Sequence, residues 1–359
     1  MDIANKREGY SKAKPLAKRP IKLLDCTLRD GGHVNDWGFG EHAVSGIIHS
    51  LSMANIDIIE LGLLKNTKYS KGATLQPCIS AFAELAIAGS PRPEQYFTVM
   101  IRPDWIQASN IDDFDSHGIV KGIRFAFYPE DLSETLKQAS IAKDRGYDIY
   151  LNAVGVSCYD IDKLISTIKS LVVLKPVALS IVDTFGAFDN KTLAYYYKSF
   201  EEFTDHDIGI GIHLHENRSL ALSLAINFAM LKRDERQGIL DASLFGMGRI
   251  PGNLCIEQIA SVLNRDHLHE NKYDLNHLMK GIRQYIYPIR EKFKWGYSPE
   301  FMLSALKNVN RNYAEYFIDK NLALEDFSKA LDLVQVLQGN SFRYSEEIAN
   351  KALMLLLGT

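Results

Sequence analysis

Residues 23–37 read LLDCTLRDGGHVNDW. A mainly apolar run ends in Arg29-Asp30, then two glycines, then His33. Such a run is what a buried strand looks like as it leaves a core. Gly31 and Gly32 allow a tight turn and keep side chains away from a ligand. Arg29, Asp30 and His33 at one strand end read either as a site or as a terminal salt bridge beside an exposed histidine. The rest of the chain decides between them.

Seven more short apolar runs follow Ile21–Thr27: Asn55–Gly62, Tyr96–Ile101, Gly122–Phe127, Asp148–Val156, Val177–Gly186, Asp207–His215 and Ile239–Gly246. Segments with helical periodicity lie between them, including Glu41–Ala54, Glu130–Arg145, Asp160–Leu171, Lys191–Phe203 and Ser219–Lys232. Eight strands alternating with helices predict an α/β fold, a (β/α)8 TIM barrel, with a doubly wound open sheet as the alternative. Beyond about residue 265 the strand signals stop. Asp274–Phe293, Pro299–Lys307, Leu324–Leu337 and Tyr344–Leu356 read as helices. The expected organisation is a basic N-terminal arm (1–20), a barrel domain (21–264) and a helical C-terminal domain (265–359).

The composition fits this reading. The 359 residues suffice for one large domain and a smaller one, and 46% hydrophobic with 24% charged residues is ordinary for a globular chain. A net charge of −3 gives no pull toward nucleic acid or anionic membrane, and no apolar run reaches the roughly 18–20 residues that span a bilayer. The four cysteines, Cys26, Cys78, Cys158 and Cys255, form no C-x-x-C pair, which argues against a thiolate zinc site and predicts a reducing, cytoplasmic setting. Lys6, Arg7, Lys12, Lys14, Lys18 and Arg19 make residues 1–20 a basic solvated arm with no secretory core.

Two later stretches carry chemistry. In GIGIHLHEN (209–217), His213 and His215 end a strand two residues apart, so both imidazoles face one side. In LFGMGRIPGNLCIEQIA (244–260), a glycine-rich loop ends in Asn253, which offers a carbonyl oxygen. In a closed barrel the eighth strand lies between the seventh and the first. Asp30, His213, His215 and Asn253 then meet on the C-terminal rim, where barrel active sites lie. Two imidazoles, a carboxylate and an amide oxygen suit a divalent metal with open positions for water and substrate.

The motif D-x-T-L-R-D-G (Asp25–Gly31), with H-x-H and G-x-G-x-x-x-G-N, resembles the DRE-TIM metallolyase (HMGL-like) family of pyruvate-handling barrels over roughly residues 21–262. The resemblance extends to IIELG, ending a strand at Glu60, and to VDTFG, with Asp183. Both carboxylates read as support for the site or as structural ion pairs. R-D-G-G-H, in place of the R-D-G-E-Q of the acetyl-CoA synthases, is similar to the 4-hydroxy-2-oxovalerate aldolase branch. That branch implies a class II, divalent-metal-dependent aldolase, a carbon–carbon lyase that cleaves or forms 4-hydroxy-2-oxo acids through a metal-bound pyruvate enolate. Arg29 would steady the enolate oxygen. His33 would act as acid/base on the substrate hydroxyl. Asp30, His213, His215 and Asn253 would hold Mn²⁺, with Mg²⁺ or Co²⁺ as alternatives.

WGYSPEFMLSA (295–305) resembles the segment that sends a tyrosine into such a site, which singles out Tyr297. Glu216 departs from the pattern, which more often has Asn or Asp there. Rim placement adds Arg124, Asn152 and Tyr159 as substrate contacts. Lys65 and Lys121 read as solvated, since no Schiff base is needed. The expected ligands are a small 2-keto acid and an aldehyde. A homo-oligomer is expected, with an aldehyde dehydrogenase as a further partner that such aldolases can take. A Claisen-type acyl-CoA synthase or lyase with the same metal site remains the alternative, as does a barrel that binds metal without catalysis.

Overall fold

The computed structural model describes residues 21–232, 235–265, 271–339 and 343–358. The expected basic arm lies outside the described residues. Eight strands appear where the apolar runs predict them: β1 (Ile21–Asp25), β2 (Ile58–Leu64), β3 (Tyr96–Ile101), β4 (Val120–Phe127), β5 (Asp148–Ala153), β6 (Ala178–Val182), β7 (Gly209–His213) and β8 (Gly238–Ala242). Each pairs in parallel with the next, and β1 pairs with both β8 and β2, so the sheet closes into a TIM barrel. The open-sheet alternative falls on the β1–β2 pairing. Leu75–Gln76 adds a two-residue strand beside β2.

The strands are nearly all buried on both faces, as a helix-covered parallel sheet requires. Outward side chains join one large apolar shell with the surrounding helices. The helix Ile161–Val172 shows how: Asp160 caps it by accepting the Lys163 N–H, and Leu164, Ile168 and Leu171 recur at helical spacing to face the sheet. Truncating Ile168 to alanine there costs about 2–5 kcal/mol. Between β3 and β4 the connection is two 3₁₀ turns, Ala108–Asn110 and Phe114–Ser116. Inward side chains behave differently. Leu24, Cys26, Ile58, Tyr150, Ala178 and Ile239 form a separate apolar plug. Two residues further along their strands, on the same face, stand Glu60, Asn152 and Asp241.

The C-terminal part is helical, as expected. Helical turns run from Leu275 to Lys292, but they pack into the barrel's apolar shell through Leu278, Ile282 and Ile286. A second core begins only at Phe301 and is built by Pro299–Leu306, Arg311–Asp319, Leu324–Gln338 and Glu346–Leu357. We therefore place the start of a second unit near residue 299. It sits on the C-terminal rim: Ser157 bonds Asn308, Arg311 bonds the Ile250 carbonyl, and Arg343 pairs with Glu130 and Asp131. Among the described residues no helix is long and apolar enough to cross a membrane.

Candidate active site and metal centre

The floor of the site is a buried chain of charges above the apolar plug. Glu60 accepts from Arg29 Nε at 2.6 Å and lies 3.1 Å from Arg124 Nη1. Arg124 also pairs with Asp241 Oδ2, which lies 3.1 Å from His213 Nδ1. None of these side chains is more than 8% exposed. Buried charges are costly unless paired, so each member holds its neighbours in place. For the Asp241 carboxyl, burial pushes up, but Arg124 and then His213 hold it below the usual range.

Asp30 stands at the first turn after β1. Arg29 Nη1 bonds its Oδ1, while Arg249 N–H (3.0 Å) and Asn253 Nδ2 (2.9 Å) both donate to its Oδ2. Burial pushes Asp30 up, yet Arg29, then His213, His33 and His215, hold it well below the carboxylate range. It is an anion at neutral pH.

His213 and His215 stand with ring centroids 4.9 Å apart. Nδ1 of His213 is engaged by Asp241, and Nδ1 of His215 by the Asp183 carbonyl at 2.9 Å. Both Nε2 atoms are thereby left as acceptors, the usual arrangement behind a metal-bound imidazole. Burial and then the neighbouring His213 push His215 down to about 3, so it is neutral at pH 7.

Asp30, His213 and His215 each offer a ligand atom, all within 4.8 Å of one another. Among the described residues the buried Oδ1 of Asn253 has no hydrogen-bond partner. A buried carbonyl oxygen rarely stays unsatisfied. This orphan beside an N,N,O cluster fits a hard divalent cation. Backbone pairing holds the set together: His215 bridges Asn253, and Glu216 N–H donates to the Gly252 carbonyl at 2.9 Å.

The glycines act through close approach. Gly31 has φ −58°, which any residue adopts, but an added Cβ would come 2.1 Å from the Thr27 carbonyl oxygen. At Gly248 a Cβ would meet Asn253 Nδ2 at 2.2 Å. The two glycines after Asp30 are there for space, not for a left-handed turn.

Arg29, Asp30, His33, Asn152, His213 and His215 line one cavity, with Leu63, Met100, Val154 and Val182 among its apolar walls. His33 is exposed at the mouth, its ring edge-on to Trp37 at 4.6 Å. Desolvation by the surrounding walls lowers its pKa, opposed by Asp30 and reinforced by Arg249, Arg311 and Arg29. The ring's own surface meets solvent, which moderates that push, and the imidazole is neutral at pH 7 either way.

Other expected residues lie elsewhere. Arg124 does not line the cavity; it is 1% exposed and ties Glu60 to Asp241 beneath it. The Asp183 side chain accepts the Ala187 and Phe188 N–H groups, so it shapes its own loop while its carbonyl orients His215. Tyr297 is not brought to the site. It is 54% exposed in a groove with Trp295 and Phe301, because its segment belongs to the link between barrel and cap. Tyr159 bonds the Val154 carbonyl and is absent from the cavity wall. Lys65 lies over the Trp105 ring at 4.5 Å, whereas Lys121 is exposed.

The structure adds Asp241, Arg249, Arg102, Trp105 and Tyr128. Asp241 had a signal: a carboxylate at an inward position of the otherwise apolar strand GILDA demands a partner. Arg249 is the lone charge in GMGRIPGN.

The chain is similar to several known proteins. Residues 129–284 match the family model HMGL-like. A 4-hydroxy-2-oxovalerate aldolase of Chloroflexus aurantiacus is 23% identical over 322 residues, covering 87% of this chain and 90% of its own. An oxaloacetate decarboxylase of Mycobacterium tuberculosis is 23% identical over 249 residues, covering 69% of this chain and 71% of its own. Among solved structures, the N-terminal domain of a protein from Bacteroides vulgatus provisionally titled an aldolase superposes with a TM-score of 0.70 at 25% identity, covering 85% of this chain and 98% of its own.

Proposed function

We propose that the chain is an enzyme of the HMGL-like lyase kind, whose family model residues 129–284 match, and that it is a class II aldolase cleaving or forming 4-hydroxy-2-oxo acids. The observation that carries the reading is the Asp30, His213 and His215 cluster, its ligand atoms within 4.8 Å of one another, in a cavity that also holds Arg29 and His33; the amide of Asn253, bonded to Asp30, would bring its orphaned oxygen as a fourth ligand. A divalent cation held by those four residues would supply a Lewis acid for the 2-oxo acid end of the substrate.

The protein's own groups account for the remaining steps. Arg29 is locked by Glu60 and Asp30, and its Nη2 has no protein partner among the described residues. Its fixed charge stands where the 2-oxo oxygen becomes an oxyanion. Neutral His33 takes the proton from the C4 hydroxyl as the C4 carbonyl forms. The C3–C4 bond breaks, its electron pair moves into the enolate, and C3 takes up a proton to give pyruvate. Exposure at the mouth lets His33 pass its proton to solvent. In the synthetic direction the same imidazolium protonates the new alkoxide.

The testing experiment is pyruvate release from 4-hydroxy-2-oxo acids by metal-stripped protein with Mn²⁺ restored. Release that depends on the ion supports the reading; stoichiometric Mn²⁺ with no release from any chain length rejects it. The decarboxylase relative favours a second reading, loss of CO₂ from oxaloacetate to the same enolate. That reaction removes no hydroxyl proton, so His33→Ala would spare it while sharply lowering aldol cleavage. The proposal also takes Mn²⁺ as resident ion, a cytoplasmic setting, a homo-oligomer and an aldehyde dehydrogenase as a candidate partner, which metal analysis, fractionation, sizing and co-purification would check.

A further inference from the structure

The charge on the cavity wall does not balance. Three guanidinium groups, Arg29, Arg102 and Arg249, line it against a single carboxylate, Asp30. Arg29 is paired with Glu60 and Asp30, and Arg102 is held by Asp104 through bonds of 3.1 and 2.7 Å. Arg249 differs. Its one side-chain bond is to a neutral group, Asn312 Oδ1, at 2.6 Å, and among the described residues no carboxylate pairs with it. A guanidinium in a cavity wall without a counter-ion is a ready anion receptor.

Arg311 stands behind it. This side chain is 13% exposed, donates to the Ile250 carbonyl at 2.8 Å and pairs with Glu315, yet its Nε is buried with no partner. Burial, followed by the nearby charge of Arg249, pushes Arg311 down to about 9. The two neighbouring arginines therefore repel one another, Arg249 in the cavity wall and Arg311 outside it. Both also act on His33, whose neutral form they favour. The Arg249 main chain borders Asp30, but its guanidinium reaches to Asn312 on the cap helix Arg311–Asp319. On the aldolase reading His33 serves the C4 hydroxyl, and what C4 carries would then extend from His33 toward the cap, within reach of that guanidinium.

We propose that the aldehyde partner carries an anionic group of its own, a carboxylate or a phosphate, bound by Arg249 with Arg311 behind it. This inference rests on the aldolase reading and names its substrate class: 4-hydroxy-2-oxo acids with a second acidic group beyond C4. It makes Arg249 a specificity-determining residue.

The test adds pyruvate to matched aldehydes with the full-length Mn²⁺-loaded enzyme: succinic semialdehyde against butyraldehyde, and glyceraldehyde 3-phosphate against glyceraldehyde. Wild type should favour the charged member of at least one pair by roughly tenfold or more in kcat/KM. Which pair shows the preference identifies carboxylate or phosphate. In Arg249→Gln that preference should shrink toward unity, mainly through a higher KM for the charged aldehyde. Exchange of the pyruvate methyl protons in D₂O needs no aldehyde and separates the two ideas. Exchange with equal use of charged and neutral partners, or with no use of any charged one, overturns this inference and leaves pyruvate enolisation standing. Absence of both exchange and addition removes the aldolase reading and this inference with it. The wild-type comparison stands even if the variant fails to fold.

Discussion

The Asn253 Nδ2 donates to Asp30 Oδ2 at 2.9 Å, while its buried Oδ1 has no partner among the described residues. One amide thus does two things: it orients the carboxylate and presents a carbonyl oxygen beside it. Asn253→Ala should weaken Mn²⁺ binding by about 10–100-fold, in the range of losses at metal-supporting positions. Calorimetric titration of metal-stripped protein checks this, and unchanged affinity would remove Asn253 from the ligand set.

Asp241 connects Arg124 to His213. Asp241→Asn leaves Arg124 with Glu60 as its sole carboxylate and His213 without its anionic support. The expected cost is about 3 kcal/mol of stability together with a 10–100-fold loss of Mn²⁺ affinity. Urea unfolding and metal titration read the two effects separately. Lost stability with intact affinity would show that Asp241 serves the fold alone.

His33 must be neutral to accept a proton, and its surroundings lower its pKa below the ordinary 6.5. A lowered pKa means the neutral form persists as pH falls. The aldol-cleavage rate should therefore be flat above pH 7 and decline only in acid, with a midpoint under 6.5. A midpoint at or above 6.5 contradicts the assignment. In His33→Ala the residual rate should be smaller by roughly 10²–10⁴-fold, the usual weight of general base catalysis.

Gly248 leaves no room for a methyl group, since a Cβ would sit 2.2 Å from Asn253 Nδ2. Gly248→Ala should push Asn253 off its position and lower turnover on the order of 10²-fold, as misplacement near 1 Å does. Circular dichroism should show the barrel retained. Wild-type turnover would mean that the loop moves freely, and the close packing would then carry no function.

The barrel was legible because its strands are short apolar runs separated by helices, and a parallel sheet buried on both faces produces no other pattern. The rim cluster was legible because strand ends announce themselves: the Arg29-Asp30 pair, His213 and His215 stand where mainly apolar runs end. Arg124 was legible as a substrate contact or as support beneath the site, and the choice stayed open because strand periodicity gives a face and not a depth. Tyr297 came from a likeness of segment rather than from periodicity, and nothing local shows that the link between barrel and cap turns it outward. Arg249 owes its role to missing partners, a property of three-dimensional neighbours that no linear pattern carries. The helix Arg311–Asp319, whose first residue reaches the glycine loop, likewise escaped notice.

Asp30 Oδ2 takes its two bonds from residues 219 and 223 positions further along the chain. During synthesis, then, the end of β1 stands incomplete until the glycine loop has also left the ribosome. A nascent chain carries Asp30 and later His213 and His215 without the loop that aligns them. Assembly of the ligand cluster is thereby tied to near-completion of the barrel, and a truncated product ending before residue 249 would lack the two donors that hold Asp30.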